Sequence, residues 1–294
     1  MPYLLYTNGA VMTTVLKTNS QEISKALPDI LKELYCDDSE ILAQRFLKLE
    51  SDFKTYFKAA EPYDFFSSPG RIEICGNHTD HNGGKVLTAA VTVDILACAQ
   101  PRSGNIIRIK SEGYSEISVD IRALSPKPAE KGTSAALLRG VLDYYKQKGY
   151  AIGAFDASIA SNVPKGAGVS SSSSFEVLIA EILNVYYNGG NVSKIEKAKA
   201  AKYAENEHFK KPCGLMDQAA IALGGINVID FENAVNPKVT PCEWKFDDLD
   251  VFVVNTGGDH SDLISDYAGI LGEMEAVANH FDKWNLRSCT KRQV

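Results

Sequence analysis

A glycine- and serine-rich segment, residues 162–174, has the composition of an anion-binding loop. Its glycines let the backbone approach a ligand closely, and consecutive backbone N–H groups can bind phosphate oxygens. An apolar pattern of helical period begins at Phe175, so the positive end of a helix would meet the loop. The segment therefore predicts a phosphate site, with a serine hydroxyl available to Mg²⁺. The candidate residues are Gly166, Gly168, Ser170, Ser171 and Ser172.

A flexible linker, or a serine that merely caps a helix, is the simpler explanation of such a segment. Here the segment lies between an alternating, strand-like pattern (155–159) and the helical pattern, and linkers do not usually interrupt such a unit. The phosphate site is therefore favoured. It is not a P-loop, because no Gly-Lys-Ser/Thr follows the glycines.

A second polar cluster spans residues 68–84 between two Pro/Gly-rich turns. Hydrogen-bonding groups this dense suit a polyhydroxylated ligand such as a sugar, and an arginine can stabilise a phosphoryl group in transfer. A solvated loop with Asx-turns is the alternative, and a metal site from two histidines is disfavoured by the lack of a carboxylate–His pattern. The residues concerned are Arg71, Asn77, His78, Asp80, His81 and Asn82.

A third cluster joins a helical carboxylate, Glu205, to an aspartate, Asp217, that follows a Pro- and Gly-containing turn. An aspartate in that position is commonly a helix cap. A catalytic role would require Asp217 to meet Arg71, which would hold the carboxylate ionised at neutral pH.

The elements that must position these clusters alternate irregularly between strands and helices. Helices are predicted over residues 20–60 (two), 133–149, 175–187, 192–209 and 262–281, and strands near 63–122, 155–159, 226–229 and 251–254. The absence of strict βαβ alternation favours an α+β fold with a largely antiparallel sheet.

The composition is that of a globular protein. The net charge of −6, with no basic run, gives no electrostatic site for nucleic acid or for an anionic membrane. The six cysteines are scattered, and neither a membrane span nor a secretory signal is apparent. We expect a cytoplasmic monomer without nucleic-acid or membrane partners.

Taken together, the three clusters resemble the GHMP small-molecule kinases, and among them the galactokinase branch. Gly70 to Gly84 is similar to the branch's sugar signature, Pro164 to Ser172 to its phosphate motif, and Cys213-Gly-Leu-Met-Asp-Gln218 to Cys-Gly-Ile-Met-Asp-Gln. The resemblance covers about residues 64–270, in the family's order.

The resemblance implies transfer of the γ-phosphoryl group of ATP to the anomeric hydroxyl of galactose. It implies Asp217 as the base, Arg71 as the residue that lowers its pKa, and Mg²⁺ bound by Ser172 and Glu205. The implied sugar-binding residues are Asn77, His78, Asp80, Gly214 and Tyr267, and the implied phosphate-binding residues are Gly166, Ala167, Gly168, Val169, Ser170, Ser171 and Ser172.

Two departures from the family pattern are visible. Asn77 stands where the branch usually has Glu, and a Gly-rich third motif near the C-terminus is absent. We therefore expect a helical extension (1–60), a GHMP-kinase-like N-terminal domain (61–220) and the start of a truncated C-terminal domain (221–294). The alternatives are a non-catalytic regulator that binds galactose and nucleotide, an inactive truncated kinase, or a family member acting on N-acetylgalactosamine or mevalonate.

Overall fold

The structure, a computed structural model, describes residues 16–18, 31, 32, 35, 40–60, 62–164, 168–245 and 264–293. It combines one mixed sheet with helices on both faces, which confirms the predicted α+β class. The predicted strand at 251–254 and most of the first predicted helix lie outside these residues.

The sheet has the order β1-β2-β3-β6-β4-β5, with β7 paired to β3 and β8 paired to β7. Among the strands described, β4 and β6 run parallel and the other pairs are antiparallel. The strands are β1 Leu16–Thr18, β2 Tyr63–Cys75, β3 Lys85–Pro101, β4 Ile106–Ser111, β5 Ile117–Asp120, β6 Phe155–Ser161, β7 Ile226–Asp230 and β8 Lys238–Cys242.

Strand β3 organises the sheet because it pairs with three neighbours. Its first part, residues 85–89, pairs with β7, its last part, residues 95–101, pairs with β6, and β2 follows its other edge. Strands β7 and β8 thus extend the sheet that residues 61–220 build, and the domain boundary expected at residue 220 stays a prediction.

Helices were expected at most of the positions where they occur. They are α1 Glu40–Phe57, α2 Ser134–Gln147, α3 Ser171–Asn188, α4 Lys194–Tyr203, α5 Met216–Leu223 and α6 Ile264–His280, and α4 continues into a π-helical turn, Ala204–Phe209. Within the described part of the chain, no helix combines the length and the apolarity that crossing a membrane requires.

Alternation along the strands divides the core between the two faces of the sheet. Phe66 and Ile95 point into the cluster formed with α2 and α3, whereas their neighbours Phe65 and Leu96 point into the cluster formed with α1. The predicted second helix of the N-terminal region therefore packs directly on the sheet.

A buried ionic contact fixes α1 to β3. Arg45 of α1 pairs with Asp94, whose side chain is fully buried and also accepts hydrogen bonds from the hydroxyls of Tyr35 (2.5 Å) and Ser67 (2.5 Å). Arg45 also donates to the carbonyl oxygen of Ala160 in β6 (3.0 Å). The helix is thus hydrogen-bonded to two neighbouring strands, β3 and β6.

The sequence shows no periodic pattern after Asp282, yet the structure contains a 3₁₀ turn at Leu286–Ser288. The side chain of Asn285 caps this turn by accepting the N–H of Ser288. Arg287 then donates to the carbonyl oxygen of Gly83 (2.6 Å) and pairs with Asp230, so this segment contacts the turn before β3 and the end of β7.

Candidate active site

An irregularity in β2 positions Arg71. The pairing of β2 with β3 shifts register between Pro69, opposite Asp94, and Arg71, opposite Ala90. Such bulges redirect side chains and are frequent beside active sites. Gly70 lies at the shift, and a Cβ there would meet the carbonyl oxygen of Val169 at 3.0 Å. Glycine therefore permits β2 to approach the serine-rich loop closely, and the N–H of Arg71 donates to that same oxygen (3.3 Å).

The guanidinium of Arg71 meets the carboxylate of Asp217 in a bidentate ion pair. Nε donates to Oδ1 and Nη2 lies beside Oδ2, both at 2.7 Å, while Nη1 donates to the carbonyl oxygen of Gly168 (2.5 Å). The hydroxyl of Ser170 donates to Asp217 Oδ2 (2.6 Å). The structure therefore brings together the candidate base, the candidate arginine and the phosphate loop.

The electrostatics of this group keep Asp217 ionised. Burial by itself would raise the pKa of Asp217, but the charge and hydrogen bonds of Arg71, followed by the hydrogen bond from Ser170, lower it to about 2. The side chain of Asp217 is nevertheless 28% exposed, against 7% for Arg71. An incoming ligand can therefore reach a carboxylate whose counter-ion is buried behind it.

Glu205 lies at the beginning of the π-helical turn that follows α4, a type of distortion frequent at functional sites. Its carboxylate, almost fully buried, accepts hydrogen bonds from Ser172 (Oγ to Oε1, 2.7 Å) and from Gln218 (Nε2 to Oε2, 2.8 Å). Gln218 directly follows Asp217, so α5 carries the carboxylate of Asp217 and also donates a hydrogen bond to the carboxylate of Glu205.

Ser172 and Glu205 together fit a magnesium site. A hydroxyl and a carboxylate oxygen in contact are hard oxygen donors of the kind Mg²⁺ prefers, and Mg²⁺ in phosphate-transfer sites typically takes one or two protein ligands beside phosphate oxygens. In the part of the chain that the structure describes, no group of three or more His, Cys, Asp or Glu side chains could hold a metal.

Asp80 joins the sugar signature to the helix that carries Asp217. Its Oδ2 accepts the N–H of Met216, the first residue of α5 (3.0 Å). A carboxylate at this position caps the helix and interacts favourably with its positive end. A Cβ on Gly214 would lie 1.7 Å from that oxygen, so the close contact requires glycine.

Asn77 and His78 lie exposed in consecutive left-handed conformations, with φ of 55° and 54°. The N–H of His78 donates to both carboxylate oxygens of Glu73 (3.0 and 3.1 Å), and the charge of His78 contributes to the low pKa of Asp217, after the larger contributions of burial, Arg71 and Ser170. Gly166, Ala167 and the side chain of Tyr267 lie outside the described residues.

Several site residues were not anticipated from the sequence. Gln218 and Lys211 bind Glu205, and Glu73 binds the backbone of His78. Glu176, one helical turn beyond Ser172, is fully buried, and among the residues that the structure describes neither of its carboxylate oxygens has a hydrogen-bond partner. Burial, followed by the charge of Glu205, raises its pKa well above the usual range. The spacing from Ser172 was the one sequence signal for Glu176, since residues four apart share a helix face.

Comparison with known proteins identifies two family regions. The galactokinase galactose-binding signature matches residues 51–101, and the GHMP kinases N-terminal domain matches residues 136–225. The galactokinase of Clostridium tetani is 35% identical over 60% of this chain and 45% of its own length. That of Limosilactobacillus reuteri is 31% identical over 82% of this chain and 62% of its own length. The chain thus spans about half to three fifths of these relatives.

Solved structures agree on the fold. The galactokinase of Lactococcus lactis, complexed with galactose, superimposes with a TM-score of 0.69 at 23% identity, covering 84% of this chain and 63% of that one. The mevalonate kinase of Methanococcus jannaschii has a TM-score of 0.56 at 16% identity, covering 80% of this chain and 76% of that one. This chain therefore carries the galactokinase galactose-binding signature and the GHMP kinases N-terminal domain, and it shares its fold with these two solved kinases.

Proposed function

We propose that this chain supplies the sugar- and nucleotide-binding site of a kinase that transfers the γ-phosphoryl group of ATP to the anomeric hydroxyl of galactose. The observation that carries the proposal is the contact of Asp217 with both Arg71 and Ser170. It sets an accessible, ionised carboxylate and a guanidinium beside a loop suited to phosphate. The relatives named galactokinase support the choice of sugar.

In this proposal the sugar hydroxyl replaces Ser170 as the donor to Asp217. Its oxygen bonds to the γ-phosphorus as the bond from phosphorus to the β–γ bridging oxygen breaks, and ADP leaves. A carboxylate whose pKa is about 2 is a weak base, so the hydroxyl proton moves to Asp217 late, when the new phosphorus–oxygen bond has made it acidic. Asp217 therefore acts first by orienting the hydroxyl.

Arg71 has two tasks in the same proposal. It keeps Asp217 ionised and fixes its orientation by a bidentate contact. Its charge also lies beside the loop that would bind the phosphates, where it can stabilise the oxygens of the transferring group.

Ser172 and Glu205 would hold Mg²⁺, which when bound neutralises charge on phosphate oxygens. The donors on Glu205 fix that carboxylate before any ion arrives. Asp80 contributes through the N-terminus of α5, and its contact with Met216 ties the orientation of Asp217 to the sugar signature.

The test is ADP release measured with galactose, glucose, N-acetylgalactosamine and mevalonate as acceptors. We expect release to depend on galactose and to fall about a hundredfold or more in Asp217→Asn, the usual range for loss of an acid–base group. Asp120→Asn is the matched control, because Asp120 also pairs with an arginine, Arg122, but lies on the edge strand β5. Equal turnover in Asp217→Asn and wild type would refute the proposal, as would release independent of the sugar.

A further inference from the structure

The carboxylate of Glu205 has a third donor besides Ser172 and Gln218. The ammonium of Lys211 lies 3.1 Å from Oε1, the same oxygen that accepts the hydroxyl of Ser172. The side chain of Lys211 is 38% exposed, whereas that of Glu205 is 2% exposed. A solvent-accessible cation on a flexible stem therefore lies on the oxygen that the candidate metal would use.

The chain fold holds Lys211 at this place. The π-helical turn ends at Phe209, and the left-handed conformation of the next residue, Lys210 (φ 67°), reverses the backbone. The N–H of Lys211 then donates to the carbonyl oxygen of Glu205 (3.0 Å). Both the backbone and the side chain of Lys211 thus return to Glu205, whereas the side chain of the adjacent Lys210 pairs with Glu207 (3.6 Å) on an exposed surface.

A metal ion and an ammonium cannot share one carboxylate oxygen without strong repulsion, because both carry positive charge at short range. Binding of Mg²⁺ through Ser172 and Glu205 would therefore displace the Lys211 ammonium. Its flexible four-carbon stem allows it to find another anion nearby, and the phosphates that accompany the metal are the anions that arrive.

We propose that Lys211 is a phosphate-binding residue. Its ammonium contacts Glu205 in the free protein and moves to contact the nucleotide phosphates when Mg–nucleotide binds. The proposal rests on the proposed function, because it assumes that nucleotide phosphates reach Ser172 and Glu205. In the absence of metal, Lys211 remains a cation at the site and supports binding of the free nucleotide.

Replacing Lys211 by methionine, which has a similar length and no charge, shifts two affinities in opposite directions. Binding of ATP in EDTA weakens, because the phosphates lose a charge-assisted contact. Binding of Mg²⁺ without nucleotide becomes tighter, because Glu205 loses the competing ammonium. A lysine that only stabilised the turn would change neither affinity in this pattern.

The experiment is calorimetric titration of the whole chain with ATP, adenosine and MgCl₂, the ATP titrations being made in EDTA and in Mg²⁺. Lys211→Met is expected to weaken ATP binding in EDTA by about tenfold or more, the usual size of a contact to a charged group, and to leave adenosine binding unchanged. Lys211→Arg should retain ATP affinity within about threefold, and the control Lys210→Met should match wild type. Thermal melting verifies folding, and Lys211→Gln replaces the methionine variant if that variant does not fold.

Two results would overturn the inference while leaving the proposed function in place. One is Lys211→Met binding ATP in EDTA as tightly as wild type, and the other is equal weakening of ATP and adenosine. Folded wild-type protein that binds ATP neither in Mg²⁺ nor in EDTA would instead refute the proposed function, and the role of Lys211 with it.

Discussion

The pairing of Asp217 with Arg71 makes the stability of this protein depend on pH in a way that one substitution can isolate. Asp217→Asn preserves the size of the side chain and one acceptor oxygen but abolishes its titration. Although burial alone raises the pKa of Asp217, Arg71 and Ser170 lower it from 3.8 to about 2. The native state therefore binds this proton less readily than the unfolded chain. The resulting stabilisation is complete above the unfolded pKa and is lost as the pH falls toward 2.

The size of the effect follows from the two pKa values. A fall from 3.8 to about 2 corresponds to about 2 kcal/mol of stability at neutral pH, at about 1.4 kcal/mol for each pH unit. About 1 kcal/mol of this is lost by about pH 3, because the carboxyl is by then mostly protonated in the unfolded chain and still ionised in the native protein.

Urea unfolding of wild type and Asp217→Asn, monitored by circular dichroism between pH 7 and pH 3, measures this contribution of Asp217 to stability. The free energy of unfolding of wild type minus that of the variant should fall by about 1 kcal/mol across this range. Other titrating groups contribute equally to both proteins and cancel in the difference.

Repeating the comparison of Asp217 with Asp217→Asn in protein that carries Arg71→Met gives the decisive control. Without the guanidinium, burial dominates and the pKa of Asp217 should rise above its usual value, so the sign of the pH dependence should reverse. The free energy of unfolding of wild type minus that of Asp217→Asn could instead be constant from pH 7 to pH 3, or grow as the pH falls. Either result would show that Arg71 and Ser170 do not lower the pKa of Asp217.

Two further substitutions test how the site and the N-terminal helix are held. Gly214→Ala places a methyl group 1.7 Å from Asp80 Oδ2, so we expect thermal unfolding to show a loss of about 2 kcal/mol in stability. The control, Gly272→Ala at an exposed helical position, should be neutral or stabilising. Equal effects of the two substitutions would contradict the close contact at Gly214. Arg45→Met removes the guanidinium partner of a buried carboxylate and should lower the free energy of unfolding in urea by about 3 kcal/mol. Lys48→Met, on the exposed face of the same helix, should lower it by less than about 1 kcal/mol. A loss in Arg45→Met no larger than in Lys48→Met would refute the anchoring role of Arg45.

Much of the fold could be predicted because its periodic signals are local. The alternation at 155–159 and the helical pattern after Phe175 correspond to β6 and α3, and the predicted helix at 192–209 divides into α4 and a π-helical turn. A propensity pattern cannot reveal that turn, because the same residues suit an α-helix.

The site was predictable where the function needs a particular residue type and unpredictable where the contact depends on tertiary geometry. Arg71 and Asp217 were expected to meet, since a catalytic aspartate requires a partner that keeps it ionised. The bond from Ser170 to Asp217 and the return of Lys211 to Glu205 depend on one β2–β3 register shift and one left-handed residue. Sequence periodicity carries no information about either.

The hydrogen bond from Met216 to Asp80 joins residues 136 positions apart, so it closes a very long loop. Closing a loop of this length costs chain entropy before the contact stabilises the chain, so we expect this contact to form late in folding. Loss of the Asp80 side chain should therefore accelerate unfolding and leave the refolding rate nearly unchanged. We therefore expect the geometry of the candidate site to affect how long the folded protein persists more than how quickly it is reached.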